Sequence, residues 1–140
     1  MPLTEESDIT AGKLAALEKQ FLKASPEVKE RVSRTIERGQ VGRVVKKALG
    51  FKCQLCYALG RYPLGFSKKN GEQYAEAHHV MPVAALPVGS LAASNIMVLC
   101  VNHHRQIHYG DVNVVISETT FNIHLDGIEI KVPRSAVDIR

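Results

Sequence analysis

No stretch of about 18 or more apolar residues occurs in the 140-residue chain, so nothing in it has the length of a membrane span. Residues 1–8 are acidic and polar and lack the basic start and apolar centre of a secretory signal, which makes the cytoplasm the expected compartment. There is no internal repeat and no low-complexity segment. Cysteine is scarce: three residues, an odd number, are too few for a disulfide framework. In a reducing compartment a close pair of cysteines points instead to metal or redox chemistry. A hydrophobic content of 45% excludes a disordered chain, and the length suits one compact domain rather than two.

The formal net charge of +4 is unevenly spread. Residues 26–69 hold eleven Lys or Arg against three acids, a local excess of eight positive charges, while the flanking segments are slightly acidic. Such a concentration suits a polyanion, because each neutralised phosphate releases counterions. A solvated helix face is the alternative that charge alone leaves open.

Residues 10–24 carry Leu14, Leu17, Phe21 and Leu22 at helical spacing, with Thr10 placed to cap. Ser25-Pro26 supplies an N-cap and a first helical position for a second helix that runs to about Arg38 and stops at Gly39. Its apolar stripe is Val28, Val32 and Ile36, with Lys29, Arg31, Arg34 and Arg38 largely off it. A third helix is expected over residues 41–49, closed by Gly50. Residues 53–70 read as turns, interrupted by Gly60, Pro63, Gly65 and Asn70-Gly71. A strand fits residues 72–80, after which Pro82 and Pro87-Val88-Gly89 break the chain. A second strand fits residues 96–101, and a helix fits 102–109, stopped by Gly110. Three alternating runs follow, around Val114, Ile123 and Ile130, and Asp126-Gly127 between the last two signals a type I′ hairpin.

Two constellations carry chemistry. Cys53-x-x-Cys56 and Cys100-x-x-His103 offer four soft ligands in two close pairs, the pattern of a closed, structural zinc site. A redox pair would need a βαβ context that is missing. The second constellation is Glu76-x-His78-His79, Asn95 and His104-x-x-x-His108. Residues four apart on a helix share a face, so His104 and His108 can bind one ion together.

The blocks Glu76-Ala77-His78-His79-Val80-Met81-Pro82, Ser94-Asn95 and Leu99-Cys100-x-x-His103-His104-x-x-x-His108 resemble the motif of the HNH endonuclease family. The Cys pairs resemble its zinc-containing branch, which includes many restriction endonucleases. The likeness spans about residues 51–109. It departs from the family's pattern at His103, where Cys is usual, and at His78, where many members have Asp.

The resemblance implies an α+β fold. A ββα-metal nuclease core with a structural zinc (residues 51–110) would follow basic, DNA-contacting N-terminal helices (1–50). A C-terminal strand and β-hairpin extension (111–140) would complete the domain. It also implies roles. His79 would be the general base, Asn95 would hold its ring by a hydrogen bond, and His78, His104 and His108 would bind the catalytic metal. Magnesium is the family's common ion, whereas three imidazoles favour Mn²⁺, Co²⁺, Ni²⁺ or Zn²⁺. Glu76, two residues before His78 on a strand, is a candidate to orient a metal-bound histidine, or else a solvent-facing carboxylate. Arg105, Arg34, Arg38, Arg43, Lys46 and Lys47 are the candidate DNA contacts. Tyr57, Tyr62 and Phe66 are expected to pack rather than stack on bases, and His124 is expected to be a structural or surface residue.

The function implied is hydrolysis of double-stranded DNA to 5′-phosphate ends, in restriction or phage-related DNA processing. A homodimer would supply a site for each strand. Two alternatives remain on the residues alone. A non-catalytic zinc module binding nucleic acid would have no use for His79 or Asn95. A zinc hydrolase of small molecules would leave the basic segment unexplained.

Overall fold

A computed structural model describes residues 11–80 and 91–134. Thr10 as a cap, Met81-Pro82 of the motif and the break expected at Pro87-Val88-Gly89 lie outside the described residues. Among the described residues the chain is mixed α+β, with helices and two small antiparallel sheets. Among the described residues no helix is long and apolar enough to cross a membrane.

Helices α1 (Ala11–Gln20), α2 (Pro26–Arg38) and α3 (Gln40–Ala48) come first. The Ser25 side chain accepts the Val28 N–H at 3.3 Å, and Pro26 opens α2 where a missing N–H costs nothing. Gly39 closes α2 and opens α3. The corner is tight. A Cβ on Gly42 would lie 1.9 Å from the backbone oxygen of Glu37, so only glycine lets α3 pass there.

Where turns were expected after residue 53, a short helix forms: α4 (Gln54–Ala58), capped by the Cys53 side chain, which accepts the Cys56 N–H. Strand β1 (Glu76–His79) then pairs with β2 (Ile96–Leu99), Glu76 opposite Leu99 and His79 opposite Ile96. A single 3₁₀ turn, Ala93–Asn95, leads into β2, and α5 (Val101–Tyr109) leaves it. The last part, where three alternating runs were expected, is a three-stranded sheet: β3 (Val112–Ile116), β4 (Thr120–Leu125) and β5 (Ile128–Pro133) in sequence order. Asp126 and Gly127 both have positive φ, 51° and 75°, as a type I′ turn requires.

All four residues of β2 are buried. Ile96 and Val98 join Ala75 and Ala77 under α1, α2 and α3, with Leu14, Ile36, Val41 and Val45. Met97 and Leu99 face the other way, into a second core with Leu55, Val80, Phe121, Ile123 and Ile130. Two cores on two faces explain why residues 96–99 read as an unbroken apolar run instead of an alternating one. Phe121 is fully buried in the second core. Phe121→Ala is expected to cost about 3–5 kcal/mol, seen as a lower urea midpoint with an unchanged slope.

Candidate functional site

The zinc-type residues meet because two helix starts share one design. Cys53 caps α4 and Cys100 caps α5, and each thiol accepts the N–H three residues on, from Cys56 and His103. The sulfurs of Cys53, Cys56 and Cys100 each lie 3.4 Å from Nδ1 of His103. The Cys56 and Cys100 sulfurs are 3.9 Å apart. Tetrahedral Zn²⁺ with its usual bond lengths sets sulfurs about 3.8 Å apart and sulfur about 3.6 Å from nitrogen. The donor set therefore fits the ion. Burial raises the Cys53 thiol, and burial with the neighbouring thiols pushes Cys56 up to about 12. Burial, then Arg61, lowers the His103 imidazole. Alone, Cys53 and Cys56 resist forming the thiolates that a bound divalent cation would stabilise.

His78, His104 and His108 form the second group. Their donor atoms all lie within 4.8 Å of one another. The ring centroids make a near-equilateral triangle with sides of 5.1, 4.8 and 4.9 Å. Nε2 of His104 lies 3.2 Å from Nε2 of His108, close to the about 3.3 Å edge of a tetrahedral imidazole site. Glu76 holds His104: its Oε1 is 2.8 Å from Nδ1, which leaves Nε2 for the group. The Tyr74 hydroxyl donates to the other carboxylate oxygen, so Tyr74, Glu76 and His104 form a chain. Burial would raise the Glu76 carboxyl, but the hydrogen bonds from Tyr74 and His104 outweigh it and hold the carboxyl down. Burial, then the nearby His104 and His108, lowers His78 to about 3. Its Nδ1 is buried without a hydrogen-bond partner among the described residues, an uncommon state for an imidazole nitrogen.

No family model, no curated protein and no solved structure matches this chain. The site therefore rests on its own geometry.

Alternation along β1 puts His79 on the face opposite His78. Its backbone N–H donates to Glu37 Oε2 at 2.8 Å, and its ring Nδ1 lies 2.8 Å from Ser33 Oγ and 3.2 Å from Glu37 Oε2. The ring is 1% exposed, and Nε2 has no hydrogen-bond partner among the described residues. The expected bond from Asn95 to this ring is corrected accordingly: Ser33 and Glu37 of α2 occupy Nδ1. Asn95 is fully buried, and its backbone oxygen accepts the Val80 N–H at 2.8 Å. Ser33 and Glu37 were not singled out because, in sequence, they are ordinary polar positions of a helix. Their one signal is the four-residue spacing that puts both beside the Val32 and Ile36 stripe.

Residues of β1 line one cleft of about 1190 Å³. Helix α2 lines one side with Ser33, Arg34, Glu37 and Arg38. Arg105, His104 and His108 of α5 and Val112 and Val114 of β3 line the other. Lys46 also reaches it, and burial lowers its ammonium. Arg43 instead pairs with Glu72 at 2.9 Å, beside an adjoining cleft that Arg38, Lys46 and Lys68 share. Lys47 is exposed and lines neither. Tyr57 and Tyr62 are exposed rather than packed, while Phe66 stacks on Tyr74 with centroids 4.8 Å apart. His124 is an exposed position on β4, 3.9 Å from Glu129.

Cys53→Ser should remove zinc from the purified protein and lower its melting temperature by more than about 10 °C, measured by metal analysis and calorimetry. Retained zinc with an unchanged melting temperature would contradict the structural role. A second expectation concerns acid. The folded protein keeps His78 neutral down to about pH 3, while in the unfolded chain it takes up a proton near 6.5. Its contribution is complete above pH 6.5 and is lost as pH falls from 6.5 to about 3. In protein carrying zinc at the cysteine cluster and no second metal, the urea midpoint should drop over that window, and His78→Gln should make the drop shallower.

Proposed function

We propose that the protein is a metal-dependent endonuclease of the HNH kind, with a ββα-metal core formed by β1, β2 and α5, that hydrolyses DNA phosphodiester bonds. The observation that carries this reading is the convergence of His78, His104 and His108 at a cleft that His79 also lines and that Arg34, Arg38, Lys46 and Arg105 make basic. A divalent ion held by the three imidazoles would supply Lewis-acid stabilisation of charge growing on the phosphate and on the leaving 3′ oxygen. His79 takes the proton of the attacking water at Nε2, which requires water to reach that nitrogen from the cleft. Glu76, steadied by Tyr74, keeps His104 in the orientation that offers Nε2. The cationic side chains hold neighbouring phosphates and carry no sequence information themselves. The Cys53, Cys56, Cys100 and His103 cluster would hold a structural zinc that fixes the start of α5. Double-stranded DNA is the substrate proposed, and a homodimer would cut both strands.

The burial of His79 favours a second reading, a zinc-stabilised module that binds nucleic acid without cutting it. A supercoiled-plasmid assay separates the two. The endonuclease nicks plasmid with Mn²⁺, Co²⁺ or Ni²⁺ at least as well as with Mg²⁺, and His79→Ala loses about 100-fold or more of that rate. Binding without turnover under every metal would leave only the module.

A further inference from the structure

We infer that Ser33 and Glu37 of α2 are positioning residues for His79: they fix its ring proton on Nδ1 and so leave Nε2 as the bare, proton-accepting nitrogen. The part of this that concerns hydrolysis rests on the endonuclease reading; the tautomer does not.

Proton bookkeeping around the ring leads there. Glu37 Oε2 has three neighbours that can donate: the His79 backbone N–H at 2.8 Å, the Ser33 hydroxyl at 3.5 Å and the His79 Nδ1 at 3.2 Å. Three donors around one oxygen suit an ionised carboxylate, which accepts only. Burial would raise the Glu37 carboxyl, but the side-chain and backbone hydrogen bonds from His79 outweigh it and keep the carboxyl low. A carboxylate oxygen 3.2 Å from Nδ1 is attracted if that nitrogen carries hydrogen and repelled if it presents a lone pair. With hydrogen on Nδ1, the Ser33 oxygen 2.8 Å away accepts a share of it while its own hydroxyl donates to Glu37. Every proton then has an acceptor. In the other tautomer, Nε2–H would be a buried donor with nothing to bond, the costlier kind of orphan.

The consequence is that the N-terminal helices form part of the site as well as a basic flank. Ser33 and Glu37 sit one turn apart on α2, and Gly42 allows α3 to pack directly on the Glu37 backbone. The Glu37 backbone is therefore held by α3 and its carboxylate by Ser33 and His79.

The test has two arms on the full-length, zinc-loaded protein. Long-range proton–nitrogen NMR of histidine-labelled protein should show His79 protonated at Nδ1 in the wild type. In Glu37→Gln, whose amide can offer hydrogen to Nδ1, the proton should move partly or wholly to Nε2. In Glu37→Asp it should return to Nδ1. A wild-type ring protonated at Nε2, or one that ignores Glu37→Gln, overturns the inference. In the kinetic arm, Glu37→Gln should lower kcat about 10- to 100-fold with little change in KM. The same substitution should change the residual rate of His79→Ala by less than about 2-fold, because its partner is gone. An equal loss in both backgrounds assigns Glu37 to support of the fold and overturns the inference. If Glu37→Gln does not fold, Ser33→Ala takes its place in the kinetic arm, where it should lower kcat only when His79 is present, and the NMR arm rests on the wild-type tautomer. If the wild type cuts nothing, the endonuclease reading fails and the NMR arm alone decides the tautomer.

Discussion

The ladder of β1 and β2 is covered on both faces, and the site depends on that. A strand with one wet face would point every second side chain into water. Here both sets of side chains meet protein: Ile96 and Val98 meet the helical core, and Met97 and Leu99 the core built on the C-terminal sheet. The partner strand β1 is held in the same register. Its two adjacent histidines therefore leave in opposite directions, His78 toward α5 and His79 toward α2. A slip of one residue would exchange them. The apolar contacts of four residues in β2 thus decide which imidazole meets two others and which meets a carboxylate.

Electrostatics at the two faces follow from this division. Three imidazoles crowd one side, where burial and then the neighbouring rings disfavour protonation of His78 and His108. On the other side a carboxylate accepts several hydrogen bonds in a confined space. The first surroundings favour a cation brought from outside, and the second favour a proton kept in place. One cleft borders both sets of surroundings.

Much of this was legible in the sequence, for local reasons. Ser25-Pro26, Gly39 and Asp126-Gly127 act through their own backbone, so their signals survive without tertiary context. The two-residue spacing of Cys53 with Cys56 and of Cys100 with His103 works the same way, since one turn of chain brings each pair together. Helix α4 was not legible. Only five residues long, it forms because the Cys53 thiol caps it, amid glycines and prolines that otherwise signal turns. Ser33 and Glu37 were hidden for the opposite reason. Their partner is more than forty residues away, and only the packing of α2 across β1 joins them. The same holds for Tyr74, whose link to His104 passes through Glu76.

His103 and His104 are neighbours on one helix, yet they serve different groups: one faces the three sulfurs, the other the two imidazoles. Successive helical residues diverge by about 100°, so a single peptide bond bridges the two centres. Whatever tilts the first turn of α5 tilts both. Occupancy at the sulfur end would set the aim of the nitrogen end. An ion bound by the sulfurs would thereby steady the helix turn that carries His104.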